Sequence, residues 1–152
     1  MIPNYEVPTA WKGHENFLHW LFVIKQPNIF VEVGVYHGFS YFCACQIVKG
    51  HNLGTLCIGV DTWEGDIHTV YNTEDHPDTI YETVRRYNET NYKDFSQLRR
   101  QPSIVASASV NDRSVDILHI DAGHTYEAIK SDFTSRTGLW VFFSTFPFII
   151  AF

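Results

Sequence analysis

Three apolar runs in this chain stop on residues that can accept or move protons. Glu32 and Gly34 close the run in IFVEVGVYHGFS (29–40), Asp61 follows TLCIGV (55–60), and Asp121 with His124 follows VDILHI (115–120). A carboxylate accepts hydrogen bonds from hydroxyls and amines, and an imidazole can take a proton from a reacting group. Gly34 and Gly38 stand where a chain reversing over a ligand can carry no Cβ. One acid after a strand is ordinary turn chemistry, whereas acids or glycines ending three strands point to one shared edge, where ligands bind in open α/β sheets.

The spacing narrows the ligand. Asp61 comes 23 residues after Gly38, close to the separation at which an acid after the second strand accepts the hydroxyls of a ribose. The dinucleotide pattern G-x-G-x-x-G is absent, because its middle glycine would fall at Tyr36, and no G-K-[ST] follows a glycine loop. The middle glycine lets backbone close on a pyrophosphate. A turn without it suits an adenosyl ligand that has no diphosphate. Glu32 interrupts an apolar strand, where an unpaired carboxylate is costly to bury; it is read as orienting the glycine turn by accepting backbone or ligand N–H bonds, against a solvent-facing strand residue or a structural partner. For Asp61 the alternative is a turn cap, for His124 a structural role at a helix start, and for His119 packing within the sheet layer.

The elements that must position these groups alternate. A helix is expected over 15–24, with Phe17, Leu21 and Ile24 on its buried stripe and Pro27 ending it. Strand one is 29–33, and the helix after the glycine turn carries Phe42, Ala44, Cys45 and Val48 until Gly50. Strand two, 55–60, completes a β-α-β unit, which makes the two strands parallel. A long polar loop, 63–76, leads to a helix opened by Pro77 and running to about Asn88. Residues 92–100 read as a short helix or turn, 103–108 as a weakly marked third strand, 115–120 as a fourth, 124–133 as a helix and 139–143 as a fifth strand. The fold class is α/β: one domain over 1–152, a mostly parallel sheet with helices on both faces.

Composition agrees with one core. The chain has 152 residues, 45% apolar and 18% charged, on the ordered side of the composition boundary. A formal charge of -6 with 11 Lys and Arg argues against a nucleic-acid partner, which needs a basic surface. Cys43, Cys45 and Cys57 lie in apolar segments and read as reduced, buried small hydrophobes. No secretory signal and no charge-free span of 18 residues is present, so a cytoplasmic protein with no membrane partner is expected.

Together VEVGVYHG, GVDTWEGD and VDILHIDAGHTYEAIKSDF resemble the class I S-adenosylmethionine-dependent methyltransferases, specifically the macrocin-type and sugar O-methyltransferase family. The motifs occur in family order from about residue 29 to 133. The resemblance implies a Rossmann-like sheet, S-adenosyl-L-methionine as cofactor, and transfer to a hydroxyl of a sugar or glycosylated small molecule. It would place the methionine part of the cofactor over Glu32, Gly34, Tyr36 and Gly38, the ribose on Asp61, Trp63 at the cofactor's border, and Ser109 beside the adenine. Asp121 would correspond to the acid that binds a divalent ion, Mg2+, in metal-assisted relatives, and His124 would lie at the acceptor side as general base. Self-association into a homo-oligomer is a further expectation.

The family's pattern is departed from at the end. An HD pair is expected after the fifth strand, where this chain has Ser144, Thr145 and Phe146, and the remaining residues do not suffice for the usual C-terminal antiparallel strand pair. The domain therefore reads as incomplete, truncated or altered at its C-terminus. The competing reading is a catalytically inactive domain that binds the cofactor or a protein partner.

Overall fold

The computed structural model describes residues 3–65, 76–108, 114–121, 140–143 and 149–151. In chain order these form α1 (Glu15–Lys25), β1 (Ile29–Val33), α2 (Phe39–Gly50), β2 (Leu56–Asp61), α3 (Pro77–Asn91), β3 (Ser96–Arg100), α4 (Ser103–Ala108), β4 (Ile117–Ile120), β5 (Trp140–Phe143) and β6 (Ile149–Ala151). The strands make one sheet in the order β3-β2-β1-β4-β5-β6. Every pair is parallel except β5 with β6. The architecture is Rossmann-like, with helices on both faces; one short antiparallel strand stands where the fold usually carries a C-terminal pair.

The central strands are apolar because neither face meets water. Side chains alternate across the sheet, so Phe30, Cys57 and Ile117 enter the core under α1, α2 and α3, while Val31, Ile58, Val60, Leu118 and Ile120 enter the core that includes Ala106 of α4. In this register Glu32 stands opposite Gly59 on β2 and His119 on β4. Gly59 has no room for a side chain: a Cβ there would come within 2.9 Å of Val35 Cγ2, 3.0 Å of Leu98 Cδ2 and 3.1 Å of Tyr41 Cε2. The strand starts are levelled by Asp116, whose Oδ2 accepts from Asn28 N at 2.7 Å and Ile29 N at 3.0 Å.

The first core is aromatic. Phe22, Phe30, Tyr41 and Phe42 are almost fully buried, and the Tyr41 hydroxyl lies 2.6 Å from Ser96 Oγ. The three cysteines are unpaired in disulfides and buried as expected, and burial, ahead of nearby acids, pushes the Cys43 thiol up to about 12. Such thiols behave as small hydrophobes.

Two expectations fail. The third strand is Ser96–Arg100, and Ser103–Ala108 is helical. SQLRR covers an edge, where a strand needs only one partner and charged residues guard the open side; the next helix starts from the Pro102 carbonyl, which accepts from Val105 N and Ala106 N. On α1 the buried residues are Leu18, Leu21 and Phe22, whereas Ile24 is 60% exposed. The helix is apolar nearly all round, so periodicity alone does not select its inner face. The expected helix over 124–133 lies outside the described residues.

Candidate functional site

β1 has β2 on one side and β4 on the other, so the chain's connections leave it in opposite directions. This is the switch point of an open α/β sheet, where a crevice opens at the carboxyl ends of the strands. The turn from Gly34 to Gly38 fills its floor. Gly34 has φ 90° and Gly38 φ 86°, both in the left-handed region that glycine adopts without a steric penalty. At Gly38 a Cβ would also stand 2.7 Å from the Phe42 ring. Gly38 is the residue before α2, so the positive end of that helix and its first N–H groups face the crevice.

Between the two glycines Tyr36 is itself left-handed, at φ 48°. Three bonds hold it there. Its N–H donates to Asp61 Oδ2 at 2.8 Å, Asp61 Oδ1 accepts from Trp63 N at 2.7 Å, and Trp63 Nε1 donates back to the Tyr36 carbonyl at 2.9 Å. Asp61 is thus a brace between the first turn and the loop after β2. A carboxylate offers about four lone-pair sites, so each oxygen keeps capacity for a ligand hydroxyl. Tyr36 remains 46% exposed, with His37 edge-on at 4.2 Å between ring centroids.

Trp63, expected at the cofactor's border, stands against the glycine turn. It is 2% exposed, packs on Tyr81 at 4.9 Å, and supports the turn from behind. Its own φ of 52° is left-handed, and the Asp61 bond fixes it. Arg100, which the sequence reading passed over, secures the same loop. Its Nε donates to the Thr62 carbonyl at 3.2 Å, a terminal nitrogen meets Asp78 Oδ1 at 2.6 Å, and the guanidinium lies over the Tyr81 ring.

Beneath the turn, Glu32 is fully buried and bonded through both oxygens: Ser40 Oγ donates to Oε1 at 2.8 Å, and His119 Nδ1 lies 2.8 Å from Oε2. Its carboxylate is closed to solvent and ties α2 to β4, and the turn backbone takes its bond from Asp61. Burial pushes the Glu32 carboxyl up, with His119 and Ser40 pulling in the opposite direction. Burial disfavours imidazolium at His119, yet the adjacent Glu32 carboxylate outweighs it and the histidine is raised. Each member of the pair therefore holds its proton more firmly than the free side chain does. The packed reading of His119 holds, and Trp11 closes over it edge-on at 5.6 Å.

Asp121 follows β4 and is tied to β1 by its N–H, which donates to the Val33 carbonyl at 2.8 Å. It is half-buried at the crevice, and its charge raises both Glu32 and His119. The structure thus brings Gly34, Tyr36, Gly38, Asp61 and Asp121 to one edge. Ser109 and His124 lie outside the described residues. No group of three or more His, Cys, Asp or Glu that could hold a metal ion occurs among the described residues. No helix among them is long and apolar enough to cross a membrane.

The profile of the family described as a methyltransferase domain matches residues 31–137. The chain belongs to this methyltransferase-domain family. A curated relative, the uncharacterized protein y4gI of Sinorhizobium fredii, is 41% identical over 132 residues, which are 86% of this chain and 14% of that protein. Among solved structures, the methyltransferase domain is similar to the O-methyltransferase TomG from Streptomyces achromogenes, involved in tomaymycin synthesis and solved in complex with SAM. The TM-score is 0.60 and the identity 15%, over 93% of this chain and 58% of TomG. The SAH-bound methyltransferase PaMTH1 of Podospora anserina gives a TM-score of 0.58 and 11% identity, over 89% of this chain and 53% of that one. The methyltransferase domain thus spans a little over half of these solved chains and about a seventh of y4gI, and the structural likeness establishes the class I fold.

Proposed function

We propose that this chain binds S-adenosylmethionine at the carboxyl edge of β1, β2 and β4 and serves as an O-methyltransferase domain for a hydroxyl of a sugar or glycosylated small molecule. The observation that supports this best is the Asp61 brace: a left-handed turn with no diphosphate glycine, locked to an acid that retains lone pairs for a ribose. The methionine part lies over Gly34, Tyr36 and Gly38, against the positive end of α2. Ser109 flanks the adenine. Trp63 and Glu32 act through others, the first by supporting Tyr36 and the second by fixing α2 and β4.

Methyl transfer from a sulfonium to a hydroxyl is an in-line displacement in which the acceptor oxygen attacks the methyl carbon, sulfur leaves as the thioether, and the hydroxyl proton must depart. The chain's part is to hold the donor and take that proton. His124 is the general base in this reading, and Asp121 at the end of β4 stabilises the imidazolium so formed. The sugar or glycosylated acceptor rests on the family likeness. The solved chains likened to this one bind SAM or SAH according to their descriptions, which supports the cofactor.

Calorimetric titration with S-adenosylmethionine tests the reading. Saturable binding is expected, weakened about 10- to 100-fold by Asp61→Ala through loss of charge-assisted bonds, with no response to an adenosine-diphosphate control. A folded sample that does not bind S-adenosylmethionine overturns it. Methyl transfer to a panel of glycosylated hydroxyl compounds then separates a transferase from a domain that only binds the cofactor.

A further inference from the structure

A second cluster of ligating side chains stands away from this edge. His19 lies within α1 and His51 directly follows α2, 32 residues later, yet their Nε2 atoms are 2.8 Å apart. The ring centroids are 4.9 Å apart and the planes are tilted by 49°. The contact exists because α1 and α2 pack against each other along the same face of the sheet.

We propose that His19 and His51 form a two-histidine chelate for a first-row divalent transition ion such as Ni2+ or Cu2+. Imidazole nitrogens bond such ions at roughly 2.0–2.1 Å, so two of them in cis positions at a right angle lie about 2.8–3.0 Å apart, against about 3.3 Å in a tetrahedral site. The observed separation is that of a hydrogen bond between the two rings, and it also matches the cis geometry. The two ring edges now face each other, and a modest swing of each ring turns both lone pairs onto one ion. Both rings are at the surface, His51 exposed and His19 partly so, which leaves room for that rotation. No third His, Cys, Asp or Glu completes the set among the described residues, so water fills the other positions.

The location says what the ion would do. α2 has 12 residues, about 18 Å at the usual rise, and its other end is the glycine turn. An ion on His51 therefore stands at the opposite edge from the crevice. It fastens α1 to the end of α2 and takes no part in methyl transfer.

The test uses the whole chain, without an added histidine tag, titrated with NiCl2 in a calorimeter and melted with and without the ion. The tightest class of binding should be one Ni2+ per chain, weakened about tenfold or more in both His19→Gln and His51→Gln. Nickel should raise the melting temperature of the unaltered chain and not of either variant. The chain has eight histidines, so His14→Gln and His76→Gln serve as controls that keep the tight class. Equal nickel affinity in His19→Gln or His51→Gln, or no binding stronger than that of Mg2+ by folded protein, overturns the proposal. Titrations with S-adenosylmethionine should superimpose with and without nickel, so failure of one site is read separately from failure of the other.

Discussion

The backbone N–H of Tyr36 donates to Asp61 Oδ2 at 2.8 Å, so the second strand holds the left-handed residue inside a turn that its own bond from Gly38 N to the Val35 carbonyl, 2.7 Å, also closes. Asp61→Ala should therefore lower stability as well as ligand affinity, by about 1–3 kcal/mol for two N–H groups that lose an ionised acceptor. Trp63→Phe keeps the ring and removes only the bond to the Tyr36 carbonyl, at about 0.5–1.5 kcal/mol. Urea denaturation of the two variants gives the comparison. An Asp61→Ala midpoint equal to the unaltered chain would show that the turn holds itself.

Glu32 and His119 form a buried pair, and removing one member strands the other. Glu32→Ala or His119→Ala should each cost about 3–5 kcal/mol, whereas Glu32→Leu with His119→Leu should cost much less than the sum. Additive losses in the denaturation cycle would mean that the two side chains act independently.

The same pair sets a pH dependence. His119 is raised above the ordinary histidine value of 6.5, so its contribution is fully present below that value and is lost as pH rises through the folded-state value. Glu32 is raised above 4.5 and works in the same direction, since the folded state holds its proton longer. The melting temperature of the unaltered chain, minus that of the Glu32→Gln, His119→Gln double variant, should fall as pH rises above the ordinary histidine value of 6.5. A constant or rising difference contradicts the assignment.

Two glycines are steric requirements of different kinds. Gly38→Ala must place a Cβ at φ 86° and 2.7 Å from the buried Phe42 ring; Gly59→Ala meets three side chains without any backbone strain, because no left-handed φ is involved. Costs of about 1–3 kcal/mol are expected at both. The Gly59 penalty should be relieved in part by Leu98→Ala, and the Gly38 penalty should not. Thermal melts of the single and double variants check this.

Much of the site was legible because β1, the glycine turn, α2 and β2 are contiguous and locally consistent: apolar strand, left-handed glycines, helix, acid. What escaped depends on neighbours that are remote in sequence. SQLRR carries too little apolar residue to read as a strand, because an edge strand is judged by one partner, and SIVASA is β-prone by composition but follows a proline that starts a helix. The partner of Glu32 was hidden for a related reason. Glu32 and His119 fall on one face by simple alternation, but only the order of strands in the sheet makes them adjacent. The burial of Trp63 depends on Tyr81 and Arg100, on elements whose placement the sequence leaves open.

The distance along the chain between Glu32 and His119 also constrains how the protein is born. The partners are 87 residues apart, which at ordinary rates of synthesis is roughly 4–17 s. During that interval β1, α2 and β2 have left the ribosome with an ionisable carboxylate facing the layer that α2 should cover. Ser40 alone offers it a bond, so closing the aromatic core over Glu32 is unfavourable until β4 delivers the imidazole. Completion of the crevice edge therefore waits for β4, although most of its residues are made first.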